Sequence, residues 1–388
     1  MLINRYIGLI LFIWALIGSS CIERYYNDFQ LDFIPSLVVD GTITNESENQ
    51  EIFLSKSIDV QSTGMNGVSG CTVLVTDKNN NNYFFYETDQ GHYQGIISMD
   101  NLVVGNFFKI SIITPDGSEY ESGFEEMTFC PEVDSVYYEL TEPMFNESTQ
   151  QIGDGIQFYV DLKVDDRYSQ FYRWNLIETY EYHATWPIKK YWAGQWFEEI
   201  PADYSKFVCY KNSLVRELFS VTTQYVKDEY LKAPLVYVDN TTQRLLFKYS
   251  LLIKQYSLTQ EAYRYWDLLK QNGQENGGMF DKQPANIVGN IKCITNPDEK
   301  VLGYFSVSKV TTKRIFVSDV EGLEFPNLFC SPVPIEGRDI YYSSPFEWPI
   351  YIAPEPENAL PGYYSGSKRC FDCTEAGGSI EPPDFWEE

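Results

Sequence analysis

The chain has 388 residues, enough for two or three domains, and its hydrophobic content of 44% is that of an ordinary globular protein. It carries 29 Lys and Arg against 55 Asp and Glu, a formal net charge of −26, which argues against nucleic-acid binding because nucleic acids are bound through Lys and Arg. Aromatic residues make up 16% of the chain and suit the pleated, half-buried surface of a sheet, which predicts a mainly β protein.

Residues 1–20 have the pattern of a secretory signal peptide. Arg5 gives a positive start, residues 6–17 form an apolar run, and small residues lead to Cys21. The run is too short to stay in a membrane, since a spanning helix needs about 20 apolar residues. Small residues followed by Cys resemble the lipobox of bacterial lipoproteins, which predicts acylation of Cys21. Residues 21–33 would then tether the mature chain to a membrane through lipid.

Short strands follow one another between residues 34 and 130. The segments SLVVDGTIT, QEIFLSKS, CTVLVTD and NYFFYET are separated by polar or glycine-bearing turns, such as those at 89–91 and 115–117. Strands spaced by about 8 to 12 residues with such turns predict a β-sandwich. We therefore predict an N-terminal domain at 34–130 that resembles immunoglobulin-like or transthyretin-like modules, a likeness of fold that implies no chemistry.

Residues 131–388 are predicted to form a larger, β-rich domain with one helix near 257–271. In the segment SLTQEAYRYWDLLKQNG, Ser257 and Gln260 have the spacing of a capping box, and apolar residues follow at helical spacing. Gly273 is typical of the residue that ends a helix. We expect the apolar face of this helix to pack against the second domain.

The cysteines indicate disulfide bonds and no metal site. Besides the lipidation cysteine there are seven, an odd number that leaves at least one thiol unpaired. Cys370 and Cys373 form a CxxC pair in a Gly/Pro-rich tail, but a zinc ribbon needs a second such pair, and the chain has only His92 and His183. We predict a structural disulfide that holds the tail, with Cys209 a candidate partner for one of the two, and leave the connectivity open.

Large aromatic residues are concentrated between positions 174 and 197. Those from Trp174 to Tyr182 alternate along a strand and are expected in the core. Between 186 and 197 the alternation breaks, which predicts a loop with exposed rings, and such surfaces contact proteins or carbohydrates. The predicted contact residues are Trp186, Tyr191, Trp192, Trp196 and Phe197.

No catalytic residue and no cofactor are predicted. Two histidines in the whole chain, with no GxSxG motif near, disfavour a Ser-His-Asp triad. A glycosidase needs two carboxylates in one cleft, and the aromatic region contains four glutamates that could supply them. They are Glu178, Glu181, Glu198 and Glu199.

Three blocks of the second half carry a family resemblance: SLTQEAYRYWDLLKQNGQENGGMFDKQPANIVGNI, EKVLGYFSVSKVTTKRIF and CFDCTEAGGSIEPPDFW. With SLVVDGTIT, DGSEYES, VDSVYYE and the dipeptide at 209–210, they resemble the DUF4249 lipoproteins of Bacteroidota. The resemblance implies an outer-membrane location beside TonB-dependent, SusC-like transporters, and it supplies no catalytic motif.

These observations together predict a non-catalytic outer-membrane lipoprotein that is an accessory or binding partner of a TonB-dependent transporter in nutrient uptake, with a glycan or peptide as possible cargo. A carbohydrate-active hydrolase and an adhesin-like surface protein, each using the aromatic segment 186–197, are the alternatives. After Cys21 the sequence has one acidic residue, Glu23, followed by the basic Arg24. This pattern leaves open whether the protein is on the periplasmic face or the cell-surface face of the outer membrane.

Overall fold

Strands dominate the computed structural model, so the prediction of a mainly β protein is confirmed. The structure describes residues 35–58, 66–146, 150–165, 167–274, 287–357 and 359–386. The predicted signal peptide 1–20 and the predicted tether 21–33, with Cys21, lie outside the described residues. Nearly all described residues belong to one compact unit, 36–57 together with 64–388. Within the described ranges, no helix is both long enough and apolar enough to cross a bilayer.

The first part of the chain forms nine strands. They are β1 (Leu37–Thr44), β2 (Asn49–Lys56), β3 (Asn66–Gly67), β4 (Thr72–Asp77), β5 (Asn82–Asp89), β6 (His92–Ile96), β7 (Phe107–Ile113), β8 (Glu119–Ser122) and β9 (Glu125–Glu126). Burial alternates along β1, where Leu37, Val39 and Ile43 face the core. The predicted turns lie between these strands, and Gly91 and Gly117 take positive φ angles of 73° and 87° there.

The middle of the chain contains longer strands and one long helix. They are β10 (Ser135–Asn146), β11 (Gln151–Lys163), β12 (Phe171–His183), β13 (Ile188–Trp192), β14 (Trp196–Asp203), β15 (Val208–Leu214), β16 (Phe219–Thr222), β17 (Tyr230–Asp239), a 3-10 turn (Gln243–Leu245), β18 (Lys248–Ser257) and α1 (Gln260–Gln274).

After α1 the elements become shorter. They are β19 (Ile291–Cys293), β20 (Leu302–Ser308), β21 (Val310–Ser318), β22 (Val333–Ile335), α2 (Gly337–Tyr341), a 3-10 turn (Pro345–Glu347), β23 (Ile350–Tyr351), β24 (Tyr363–Ser365) and two 3-10 turns (Lys368–Cys370 and Cys373–Ala376).

A first core lies within a sheet of eleven strands. Its order is β19-β8-β7-β4-β5-β6-β2-β1-β20, with β3 paired to β2 and β9 paired to β7. Strands β1 and β20 are parallel. They pair from Val38 opposite Leu302 to Thr44 opposite Ser308. Phe305, fully buried, packs in the same cluster as buried side chains of β1, β2 and β4 to β8. The sheet formed by 34–130 therefore includes two strands from near residue 300.

A second core lies between two smaller sheets. One has the order β10-β11-β17, and the other has the order β15-β12-β18-β21 with β16 also paired to β12. Trp174 and Leu176 of β12 pack in this cluster with Phe158 and Tyr249. The predicted burial of the alternating aromatic strand is confirmed, because Trp174 and Tyr182 are both buried.

The predicted helix is present but begins later than its capping box indicated. Ser257 is the last residue of β18, and its hydroxyl donates to the carbonyl of Thr128 at 2.8 Å instead of capping a helix. Thr259 takes that place, since its side chain accepts from the backbone N–H of Ala262 at 3.3 Å. The apolar face, with Trp266, packs against Tyr304 of β20 and neighbouring strands.

Candidate functional site

Two disulfide bonds hold the C-terminal tail, one to β15 and one within the tail itself. Cys209 of β15 is bonded to Cys373 with a Cα–Cα distance of 5.7 Å, the long-range pairing that the sequence suggested. Cys370 is bonded to Cys330 at 6.0 Å, so the two cysteines of the CxxC pair have different partners. Spacing alone gave no reason to select Cys330. The free cysteines of the described residues are Cys71, Cys130 and Cys293.

Polar contacts hold the tail beside the first of these disulfides. The Tyr182 hydroxyl donates to the carbonyl of Cys373 at 2.7 Å. Asp372 is buried, and its carboxylate accepts from Lys206 at 2.5 Å and from the backbone N–H of Thr374 at 3.0 Å. Burial alone would raise the pKa of Asp372, but these hydrogen bonds and the charge of Lys206 outweigh it and lower the pKa.

We expect Asp372→Asn to destabilise the protein at neutral pH by about 1.5–3 kcal/mol, the range for hydrogen bonds to a charged group. Because the folded pKa is below the usual 3.8, the carboxylate contributes stability above that value and loses it as pH falls through the folded pKa. Denaturant midpoints of the two proteins should therefore differ at pH 7 and converge as the pH falls from 3.8 through the folded pKa of Asp372. The exposed Asp384→Asn is the matched control, and a difference that persists at low pH would contradict the assignment.

The aromatic segment 186–197 is largely a β-hairpin, so the prediction of an irregular loop is wrong. Strands β13 and β14 pair with Trp192 opposite Trp196, and the connecting turn has Gly194 at φ 80°. The break in alternation that suggested a loop comes from this three-residue turn. The rings of Tyr191 and Phe197 stack across the strands, with centroids 4.9 Å apart.

The five predicted contact rings are half-buried instead of exposed. The tail packs against four of them, and Phe197 stacks on Tyr191. Strand β23 pairs with β13 and places Ile350 opposite Trp192. The ring of Trp192 lies 5.1 Å from that of Tyr341, and Trp196 stacks on Tyr363 at 5.4 Å. Trp186 packs against Phe371 at 5.1 Å, in a small core of its own. The structure thus brings all five into one lobe together with the tail.

Exposed aromatic residues lie on the tail segment that covers the hairpin. Tyr342 is 86% exposed and Phe346 is 97% exposed, beside Tyr341, which contacts both hairpin tryptophans. We define the aromatic face as Trp192, Trp196, Tyr341, Tyr342 and Phe346. The sequence reading missed its tail residues, although the run YYSSPF between two glutamates was a signal that could have indicated them.

The four glutamates of the hydrolase alternative are distributed over different surfaces. Glu178 and Glu181 project from opposite faces of β12, since three residues separate them in a strand of period two. Glu181 pairs with His183 at 2.7 Å. Glu198 lies in the hairpin opposite Lys190, and Glu199 follows it on β14 and projects from the other face of that strand.

Glu178 instead belongs to a charged cluster in a cavity of about 640 Å³. Its carboxylate accepts from Tyr249 at 3.1 Å and from Ser213 at 3.0 Å, and Arg244 Nη1 lies 3.5 Å away. Glu217 lines the same cavity. The pKa of Glu217 is raised, chiefly because burial removes water from its carboxylate. The charge of Arg244 lowers this pKa and the charge of Glu178 raises it. With three partners, Glu178 is typical of a structural ion-pair cluster.

No group of three or more His, Cys, Asp or Glu side chains in the described ranges is arranged to hold a metal ion.

The family model described as "Domain of unknown function (DUF4249)" matches residues 23–314. The chain belongs to this family, which confirms the resemblance found in its sequence. The hairpin lies within the matched residues, whereas the tail residues of the aromatic face lie beyond them. No curated protein matches the chain.

Two solved structures show weak similarity. A DUF4785 family protein from Legionella pneumophila is 10% identical over 57% of this chain and 53% of that chain, with a TM-score of 0.17. A bacterial ice-binding adhesin, studied for its retention at a host cell surface, is 8% identical over 74% and 64%, with a TM-score of 0.16. The chain thus spans less than two thirds of the length of either structure, and these TM-scores support no argument.

Proposed function

We propose that this protein is a non-catalytic outer-membrane lipoprotein that binds a TonB-dependent, SusC-like transporter as an accessory subunit. The predicted acylation of Cys21 would hold it at the membrane beside such a barrel, and glycan or peptide is the expected cargo. The observation that carries the proposal is the aromatic face, with Tyr342 and Phe346 almost fully exposed.

The aromatic face is held ready for contact by local hydrogen bonds. Trp348 Nε1 donates to Ser343 Oγ at 2.9 Å, and Ser344 and Glu347 form a capping box around the 3-10 turn that carries Phe346. A segment that is already ordered loses little entropy on binding, so more of its contact energy appears as affinity. Tyr and Trp are also enriched among the residues that dominate interface energies.

The test is affinity purification of the full-length lipoprotein from mildly solubilised native membranes, with mass spectrometry of the co-purifying proteins. We expect a stoichiometric β-barrel transporter with the unchanged protein. The double variant Tyr342→Ser, Phe346→Ser should reduce its recovery at least about tenfold, since each lost anchor costs about 1–2 kcal/mol.

The matched control is Phe84→Ser, Tyr86→Ser, which removes the same two residue types from exposed positions on β5. It should leave recovery of the barrel unchanged. Absence of any barrel from the eluate of the unchanged protein would overturn the accessory role. Equal loss with both double variants would instead show that the aromatic face has no special part in it.

A further inference from the structure

Arg173 is a buried arginine of β12. It is only 8% exposed and lies beside the cluster that contains Tyr256 and Trp266. Its guanidinium is held between two aromatic rings, 4.4 Å from the centroid of Tyr256 and 4.1 Å from that of Trp266. The aromatic faces fix the plane of the guanidinium, because a cation is attracted to the negative face of each ring.

This guanidinium lacks the partners that a buried charge normally has. Its Nη1 donates to Asn175 Oδ1 at 3.1 Å, while its buried Nε has no acceptor among the described residues. Among the described residues, no Asp or Glu oxygen lies within 4.0 Å of a guanidinium nitrogen of Arg173, the distance that defines an ion pair. Trp266 Nε1 is likewise buried without an acceptor in the described structure. An uncompensated buried charge costs several kcal/mol, so an anionic group is expected beside it.

The arginine lines a cavity large enough for such a group. The cavity has a volume of about 560 Å³, within the range of roughly 300–1,000 Å³ that is typical of small-molecule sites. Its lining includes apolar surface from Tyr256, Trp266 and Phe53. The side chain of Asn175 is among the polar groups of the lining.

Acidic residues also line the cavity, and they restrict the ligand. Glu46 is neutralised by Lys254 at 2.8 Å, and Glu51 accepts from Gln94 at 3.1 Å. Asp40 is exposed, and its carboxylate has no hydrogen bond or ion pair in the described structure, although its charge acts on Arg173. Glu51 keeps its negative charge, so a polyanion would be repelled here. A ligand with one carboxylate and one nearby cation would complement the charges of Arg173 and Asp40.

We propose that this cavity binds a small zwitterion of the α-amino acid class, with its carboxylate on Arg173 and its ammonium group near Asp40. The guanidinium fork suits a carboxylate because it can donate two parallel hydrogen bonds. The aromatic lining favours amino acids with an apolar or aromatic side chain. The site is separate from the aromatic face and does not depend on the transporter partnership.

The test is isothermal titration of the purified full-length protein with L-phenylalanine and the other standard L-amino acids. We expect saturable binding of at least one zwitterion. N-acetylphenylalanine, which lacks the ammonium charge, and phenylalanine amide, which lacks the carboxylate, should each bind at least about tenfold more weakly. Inorganic phosphate should not bind.

Asp40→Asn should weaken binding about tenfold while the fold is kept, because Asp40 is exposed, and its circular dichroism spectrum should match that of the unchanged protein. Asp100→Asn, an exposed change elsewhere, should have no effect. Arg173→Lys should abolish binding, and its circular dichroism spectrum would show whether the fold is kept. Absence of binding by every amino acid, equal affinity for N-acetylphenylalanine, or an unaffected Asp40→Asn variant would each overturn the proposal.

Discussion

The double variant Cys209→Ala, Cys373→Ala should lose about 5 kcal/mol of unfolding free energy. The disulfide closes a loop of 164 residues, and loop-closure entropy in the unfolded chain scales with the logarithm of that length. The measurement is guanidinium unfolding followed by circular dichroism. We also expect the variant to become sensitive to limited proteolysis in the tail that Cys373 anchors.

A comparison with the second disulfide sharpens this test. Cys330→Ala, Cys370→Ala opens a loop of only 40 residues and should cost about 4 kcal/mol. The tail between residues 330 and 370 should then be cleaved first. Cys71→Ser, at a free and half-buried thiol, is the control for cysteine removal. Equal stability of the oxidised and reduced unchanged protein would contradict both expectations.

Phe305→Ala should lower the free energy of unfolding by about 3–5 kcal/mol, the usual cost of removing a buried phenylalanine ring. Phe305 is 0% exposed, and its ring lies against Gly41 of β1, where a Cβ would come within 3.4 Å of it. The measurement is chemical unfolding followed by far-ultraviolet circular dichroism.

The control for this prediction is Leu302→Ala on the same strand. Leu302 is 37% exposed, so its loss should cost far less than that of the buried Phe305. A similar small effect for both changes would mean that β20 does not complete the first core, and the parallel pairing with β1 would have to be abandoned.

The features that the sequence predicted well depend on neighbours in the chain. Alternating burial in β1, the turns at Gly91 and Gly117, and the long helix all follow from periods and turn residues within a few positions. The helix start was wrong by three residues because a distant carbonyl, that of Thr128, takes the hydroxyl of Ser257.

The features that the sequence could not predict join distant segments. The pairing of Val38 with Leu302 and the bond between Cys330 and Cys370 leave no local signal. The same limit applies to the candidate site. The aromatic composition of 186–197 was recognised, but only the packed tail shows that Trp192 is half-covered while Phe346 is exposed.

The parallel contact between β1 and β20 also sets the order in which the chain can fold. Until β20, which ends at Ser308, has paired with β1, one edge of β1 has no partner. The unpaired backbone groups of this edge are a template for pairing with another chain. Contacts of such high sequence separation form late and slowly, which prolongs the exposure of this edge. During that interval the Leu37–Thr44 edge is where pairing with a second chain is expected.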